Sequence, residues 1–229
     1  MRHWSLRRYQ LFVHWHKPHW RTISQTFRLG LPIAMTVLFE VTLFAVIALL
    51  LAPFGANIVA AHQIALNFSA LMFMFPLSMG MAISIRVSYR LGQHRIRQAR
   101  VAVKSAVVIG LSVACLTATF TLLAKGLIIS LYTSNEAVFA ISSQLLIYAA
   151  LFQFSDAIQV ISANALRGYK DTTAMFYITF CAYWLIGLPI GVILGRTDWL
   201  SSEPMAADGF WIGIIAGLTS AAIMLGYRL

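Results

Sequence analysis

The chain has 229 residues, 60% hydrophobic and only 10% charged, with a formal net charge of +10. A soluble domain carries about a quarter charged residues, and the long uniform apolar runs are unlike the alternating segments of a β-barrel. This excludes a soluble globular enzyme and predicts an all-α, polytopic membrane protein with six transmembrane helices in one bundle.

Residues 1–28 read as a cytoplasmic linker or interfacial segment, and residues 29–229 as the six-helix transmembrane bundle. The first segment carries Arg2, Arg7, Arg8, Lys17, Arg21 and Arg28, but neither an uninterrupted apolar core nor a small-residue cleavage site of the kind a signal peptide needs. His14-Trp15-His16-Lys17-Pro18-His19-Trp20 has the residue types of a metal site. Trp, His and Lys also settle at the headgroup layer, and the interfacial reading is preferred.

Six apolar runs follow, each near the roughly twenty residues that cross a hydrocarbon core. They fall at about 29–51, 58–85, 102–123, 137–166, 173–194 and 210–227. Pro32 near the start of the first run loses no needed hydrogen bond there. Pro53-Phe54-Gly55 predicts a tight turn, Pro76 a kink in the second span, and Pro189 after Gly187 a bend in the fifth. Cys115 and Cys181 fall inside spans and read as small buried apolar residues, with no disulfide or metal required.

The loops alternate in charge. Fifteen of the 17 Lys and Arg residues lie on one side: before span one, between spans two and three, after span four and after span six. The other side holds Lys125 and Arg196 beside Glu136, Asp198, Glu203 and Asp208. The positive-inside rule then places both termini and the basic loops in the cytoplasm. Charge distributed in this way is a topology signal, so nucleic acid is not an expected partner; the lipid bilayer is.

Two carboxylates interrupt the apolar spans. Glu40 lies eleven residues into span one and Asp156 ten residues from the end of span four. At 1.5 Å per residue these are depths of about 16 and 15 Å, both near the midplane. A charge there costs several kcal/mol and marks a cavity, an ion path or a substrate site. Gln153, Asp156, Gln159 and Asn164 follow helical spacing on span four. Gln63 and Asn67 are four apart on span two with Met74 further along, and Thr36 lies one turn before Glu40. Such groups can line a cavity whose oxygen atoms hold a hard cation, or they can bond neighbouring helices. Aromatic and Met neighbours such as Phe39, Phe44, Phe152, Phe154 and Met74 can meet an apolar cation by area burial and cation–π contact, or serve as packing surface. Each acid can also be a protonated carboxyl bonded to a neighbouring helix.

Leu29-Gly30-Leu31-Pro32-Ile33, then Phe39-Glu40-Val41-Thr42-Leu43-Phe44, resembles the seventh helix of multidrug and toxic compound extrusion (MATE) transporters of the bacterial NorM type. Ala61-His62-Gln63-Ile64-Ala65-Leu66-Asn67-Phe68 and Ile85-Arg86-Val87-Ser88-Tyr89-Arg90-Leu91-Gly92 resemble the eighth helix and its exit. Asp156-Ala157-Ile158-Gln159-Val160 with Leu166-Arg167-Gly168-Tyr169-Lys170-Asp171-Thr172 is similar to the tenth helix and the loop after it. The resemblance covers about residue 20 onward.

It implies a twelve-helix fold of two six-helix bundles, of which this chain holds the carboxy-terminal one. It also implies export of cationic amphiphilic small molecules in exchange for Na⁺ or H⁺, from a bacterial inner membrane. Glu40 and Asp156 match the family's membrane carboxylates and would be the cation-coupling residues, ligating Na⁺ if the protein is sodium-coupled. Gln63, Asn67, Gln153, Gln159, Phe152, Thr36 and Met74 are the candidate cavity and substrate residues. Relatives often carry Tyr one turn before the second acid, where this chain has Phe152, so a hydroxyl ligand is missing there. No catalytic residue and no cofactor beyond the coupling ion is expected. Burial raises carboxyl pKa values, which suits proton exchange, whereas clustered oxygen ligands suit Na⁺; both ions fit. Alternating access needs a second, amino-terminal bundle, so the chain alone is expected to be inactive. The alternatives are a lipid-linked precursor flippase, which would place basic residues in the cavity where this chain has acids, and a membrane fragment without a function of its own.

Overall fold

The computed structural model describes residues 19–198 and 204–229. Most of the 1–28 segment, including residues 14–18 of the His/Trp run, lies outside the described residues. Seven α-helices follow in chain order: α1 (Trp20–Leu51), α2 (Ala56–Gly92), α3 (Ile96–Ser130), α4 (Glu136–Gly168), α5 (Thr172–Phe180), α6 (Leu188–Arg196) and α7 (Ala207–Arg228). A π-helical segment, Cys181–Gly187, joins α5 to α6, so these three form one span. Among the described residues six helices are thus long and apolar enough to cross a membrane.

Several helices outrun the predicted spans. α1 begins at Trp20, within the segment read as a linker, and α3 covers 35 residues, about 52 Å at 1.5 Å per residue. The apolar runs measure the hydrocarbon thickness. The helices continue past it because Arg, Lys and Gln are good helix formers whose heads reach water. α2 runs on through Pro76 to Gly92.

The loops follow their local chemistry. Ala52–Phe54 forms a single 3₁₀ turn and Gly55 takes φ +104, a conformation that favours glycine. Asn135 caps α4, its Oδ1 accepting from the backbone N–H of Ala137 at 2.9 Å and Val138 at 3.3 Å. The π segment lies immediately before Pro189, where a bend was expected. Proline offers no N–H and its ring crowds the carbonyl four residues back, so a wider turn relieves the ladder at that point.

α4 is the central element, packed against α2, α3 and α7. Its middle is nearly all buried, from Gln153 through Asp156 to Leu166. α7 lies against the π segment and α6 through glycines. A Cβ built on Gly213 would stand 2.5 Å from the Gly191 backbone, and one on Gly209 2.5 Å from Gly195 N. Those backbones are in contact, as small-residue interfaces in membranes allow. α1 is held differently, mainly by α5: Phe39 stacks among Phe176, Phe180 and Trp184, with ring centroids 5.1 to 6.3 Å away. Cys115, expected buried, is exposed on α3; its neighbour Ala114 takes the inward position instead.

Candidate functional site

Asp156 is 2% exposed at the middle of α4. One helical turn is 3.6 residues, so Gln153 and Gln159 flank it by about 60° on either side. On the Gln153 side it faces a cavity between α2, α3 and α4, walled also by Ser69, Met72, Phe73, Pro76, Gly110 and Thr117. The room for water-sized contents there is ≈ 10 Å³, about one water molecule and far short of an organic cation.

Several side-chain oxygens serve this space. Gln153 Nε2 donates to Thr121 Oγ1 at 3.0 Å, and both residues are buried. Gln153 Oε1 and Ser69 Oγ have no hydrogen-bond partner among the described residues. With the Asp156 carboxylate they give a mostly apolar cavity a polar patch of oxygen atoms, the ligand type that suits a hard cation or a proton-bearing water.

Glu40 lies on α1, where it is partly buried, and does not line this cavity. It lies within Coulombic range of Asp156, and the Tyr183 hydroxyl lies within range of both. Tyr183 is 1% exposed on the π segment and its hydroxyl has no hydrogen-bond partner among the described residues. Thr36, one turn from Glu40, is buried and donates its hydroxyl hydrogen to Pro32 O at 2.8 Å, so only its lone pairs remain free. Gln159 is buried with Oε1 unpaired.

Among the described residues no cation neutralises either acid by contact. Among the described residues the one ion pair joins Arg228 Nε to Asp171 Oδ2 at 2.9 Å, at the other end of α4 and α7. Arg167 was expected in a cytoplasmic loop. It is instead the partly buried last turn of α4, within Coulombic range of Glu40 but not paired with it.

The remaining candidates separate into two groups. Phe152 is buried with its ring 6.2 Å from that of Trp211, edge to face, and serves as packing. Asn164 is buried and donates to Val160 O at 2.9 Å within its own helix. Gln63, Asn67 and Met74 lie outside the Asp156 cavity, on an exposed stripe of α2. The reason is rotational: α2 turns His62 inward, where His62 Nδ1 accepts from the Trp211 indole N–H at 3.2 Å. That bond leaves the neighbouring Gln63 outside. Sequence reasoning missed Ser69, Thr121 and Tyr183. Each is an ordinary polar residue in an apolar helix, and only the pairing of helices brings it to the acids.

The MatE family profile matches residues 32–193, most of the bundle just described. The chain belongs to the MatE family. It is 52% identical over 220 residues to the multidrug resistance protein NorM of Vibrio cholerae, covering 96% of this chain and 48% of that protein. It is 53% identical over 212 residues to the multidrug resistance protein MdtK of Proteus mirabilis, covering 93% and 46%. The crystal structure of the eukaryotic MATE transporter AtDTX14 superposes with a TM-score of 0.84 at 26% identity, over 91% of this chain and 46% of that one. The chain spans about half the length of the curated relatives it matches. MatE proteins are secondary transporters rather than enzymes, and this chain is a multi-pass membrane protein with half of their fold.

Proposed function

We propose that the chain is the carboxy-terminal half of a multidrug efflux antiporter that exports organic cations in exchange for Na⁺ or H⁺. The observation that carries this reading is the pair Glu40 and Asp156. They come from different helices to within Coulombic range of each other, without a contacting cation among the described residues. Two such carboxylates in an apolar bundle are costly unless a mobile cation or proton serves them. The ion acts by binding one state of the transporter more tightly than the other, which is the sole way a ligand shifts a conformational equilibrium.

The exposed stripe of Gln63, Asn67 and Met74 supports a missing partner. Amide groups facing lipid lose hydrogen bonds that water or protein would supply. A second six-helix bundle closing over this face would satisfy them and enclose a drug-sized space near the acids, where the Asp156 cavity has room for about one water. The basic loops support a bacterial inner-membrane topology with both termini in the cytoplasm.

The test is drug efflux from cells or proteoliposomes carrying the complete two-bundle transporter. Glu40→Gln with Asp156→Asn is expected to abolish ion-driven export while leaving helix content and melting intact. Unchanged efflux in the double variant overturns the reading. Chain 1–229 reconstituted alone is expected to move no drug.

A further inference from the structure

Between α2 and α3, joined by their tight turn, lies an open trough of ≈ 910 Å³. Its walls are two matching helical stripes, and they change character along their length. Toward the turn the trough is lined by Arg86, Arg90 and Arg97. Down α2 from Arg86 the lining becomes Ile83 and then Met79, the latter seven residues or about 10 Å away, faced by Ile109 on α3. Ala102 and Ala106, small residues on the α3 wall, leave the trough its width.

We infer that this trough seats one anionic phospholipid, its phosphate held by Arg86, Arg90 and Arg97 and an acyl chain laid along the Ala102–Ile109 wall. The charge complementarity is one-sided: among the described residues, three guanidiniums and no carboxylate line the trough. Arg86 and Arg97 are exposed and unpaired among the described residues. Arg90 is already oriented, with Nη1 donating to Gln93 Oε1 at 3.1 Å and its guanidinium 6.0 Å from the Tyr89 ring centre. A guanidinium presents parallel N–H donors that match phosphate oxygens. The polarity gradient runs along the helices and therefore along the membrane normal, basic at the interface and apolar toward the core. A lipid has this gradient; a soluble anion would use only the first half. Basic pockets between membrane helices at a charged leaflet take acidic lipid headgroups on the same grounds.

The site is separate from Glu40 and Asp156, and the test does not depend on transport. Purified chain 1–229 is exchanged into detergent, given cardiolipin, phosphatidylglycerol or phosphatidylcholine, and bound lipid is counted by native mass spectrometry. The expected result is retention of one cardiolipin or phosphatidylglycerol at least tenfold tighter than phosphatidylcholine. Arg86→Gln with Arg97→Gln should remove that preference. The Arg86→Lys, Arg97→Lys variant should keep most of it, and serves if the Gln variant folds poorly. Ala102→Leu with Ala106→Leu fills the acyl end and should weaken retention tenfold while all three arginines remain. Equal binding of anionic and zwitterionic lipid overturns the inference, and so does an unchanged preference in the Gln variant. Displacement of the lipid by millimolar inorganic phosphate, with no effect of the leucines, shows a headgroup-only anion site and also overturns it. So does occupation of the trough by a second copy of the chain, seen as a lipid-free dimer.

Discussion

The Gln153 side chain donates from Nε2 to Thr121 Oγ1, and this bond sets which way the amide faces. The Thr121 hydroxyl already gives its hydrogen to Thr117 O at 2.7 Å within α3. It can therefore only accept from Gln153, and the amide must turn its nitrogen toward α3 and keep its oxygen as a free acceptor. Thr121→Val keeps the shape but leaves a buried N–H without a partner. We expect a loss of about 1–3 kcal/mol in unfolding free energy, read by denaturant titration in detergent. Thr121→Ser should be close to neutral.

Tyr183 makes the opposite prediction. Its buried hydroxyl has no partner in the protein, so Tyr183→Phe should leave stability unchanged or raise it by about 1 kcal/mol. If the hydroxyl helps hold the coupling ion, any rise in melting temperature produced by Na⁺ in the complete transporter should shrink in the same variant, since a ligand stabilises the state it binds. A destabilised Tyr183→Phe protein would show that the hydroxyl has a protein partner after all.

The α6–α7 contact has no room for a side chain. Gly213→Leu must push apart backbones that a Cβ would already meet at 2.5 Å. A cost of roughly 3 kcal/mol or more is expected, seen as reduced yield and a lower melting temperature. Gly30→Ala is the control: nothing lies within 4 Å of a Cβ there, and replacing a mid-helix glycine should stabilise by up to about 1 kcal/mol.

The proposed topology is checked with single cysteines in a Cys115→Ser, Cys181→Ser background. Gln98→Cys, exposed beside the α2–α3 turn, should react with an impermeant maleimide only in inverted vesicles. Ser134→Cys, exposed between α3 and α4, should react only from outside intact cells. The reverse pattern would invert the assignment.

The six spans were legible because lipid demands about twenty apolar residues, and a run of that length can be counted. Glu40 and Asp156 stood out for the same reason: a charge in such a run has no local explanation. The neighbours of the acids were much less legible. Periodicity places Gln63 and His62 only 100° apart on α2, and nothing in the sequence says which one turns inward; the Trp211 indole, 149 positions away, decides it. Ser69 and Thr121 reach the Asp156 side only through the pairing of α2 and α3 with α4. Pro189 signalled an irregular fifth span, but not that a π segment would absorb it and leave Tyr183 buried near both carboxylates.

The two ends of this bundle are built to different stiffness. At α6 and α7 main chain rests on main chain, a joint with no rotamers to change and little give. Phe39 and its ring neighbours hold α1 through side chains instead, and that helix carries Glu40. Asp156 thus sits on the buried central helix and Glu40 on a helix held by ring packing, so under the function proposed above the gap between the two acids is the dimension that a passing ion would set.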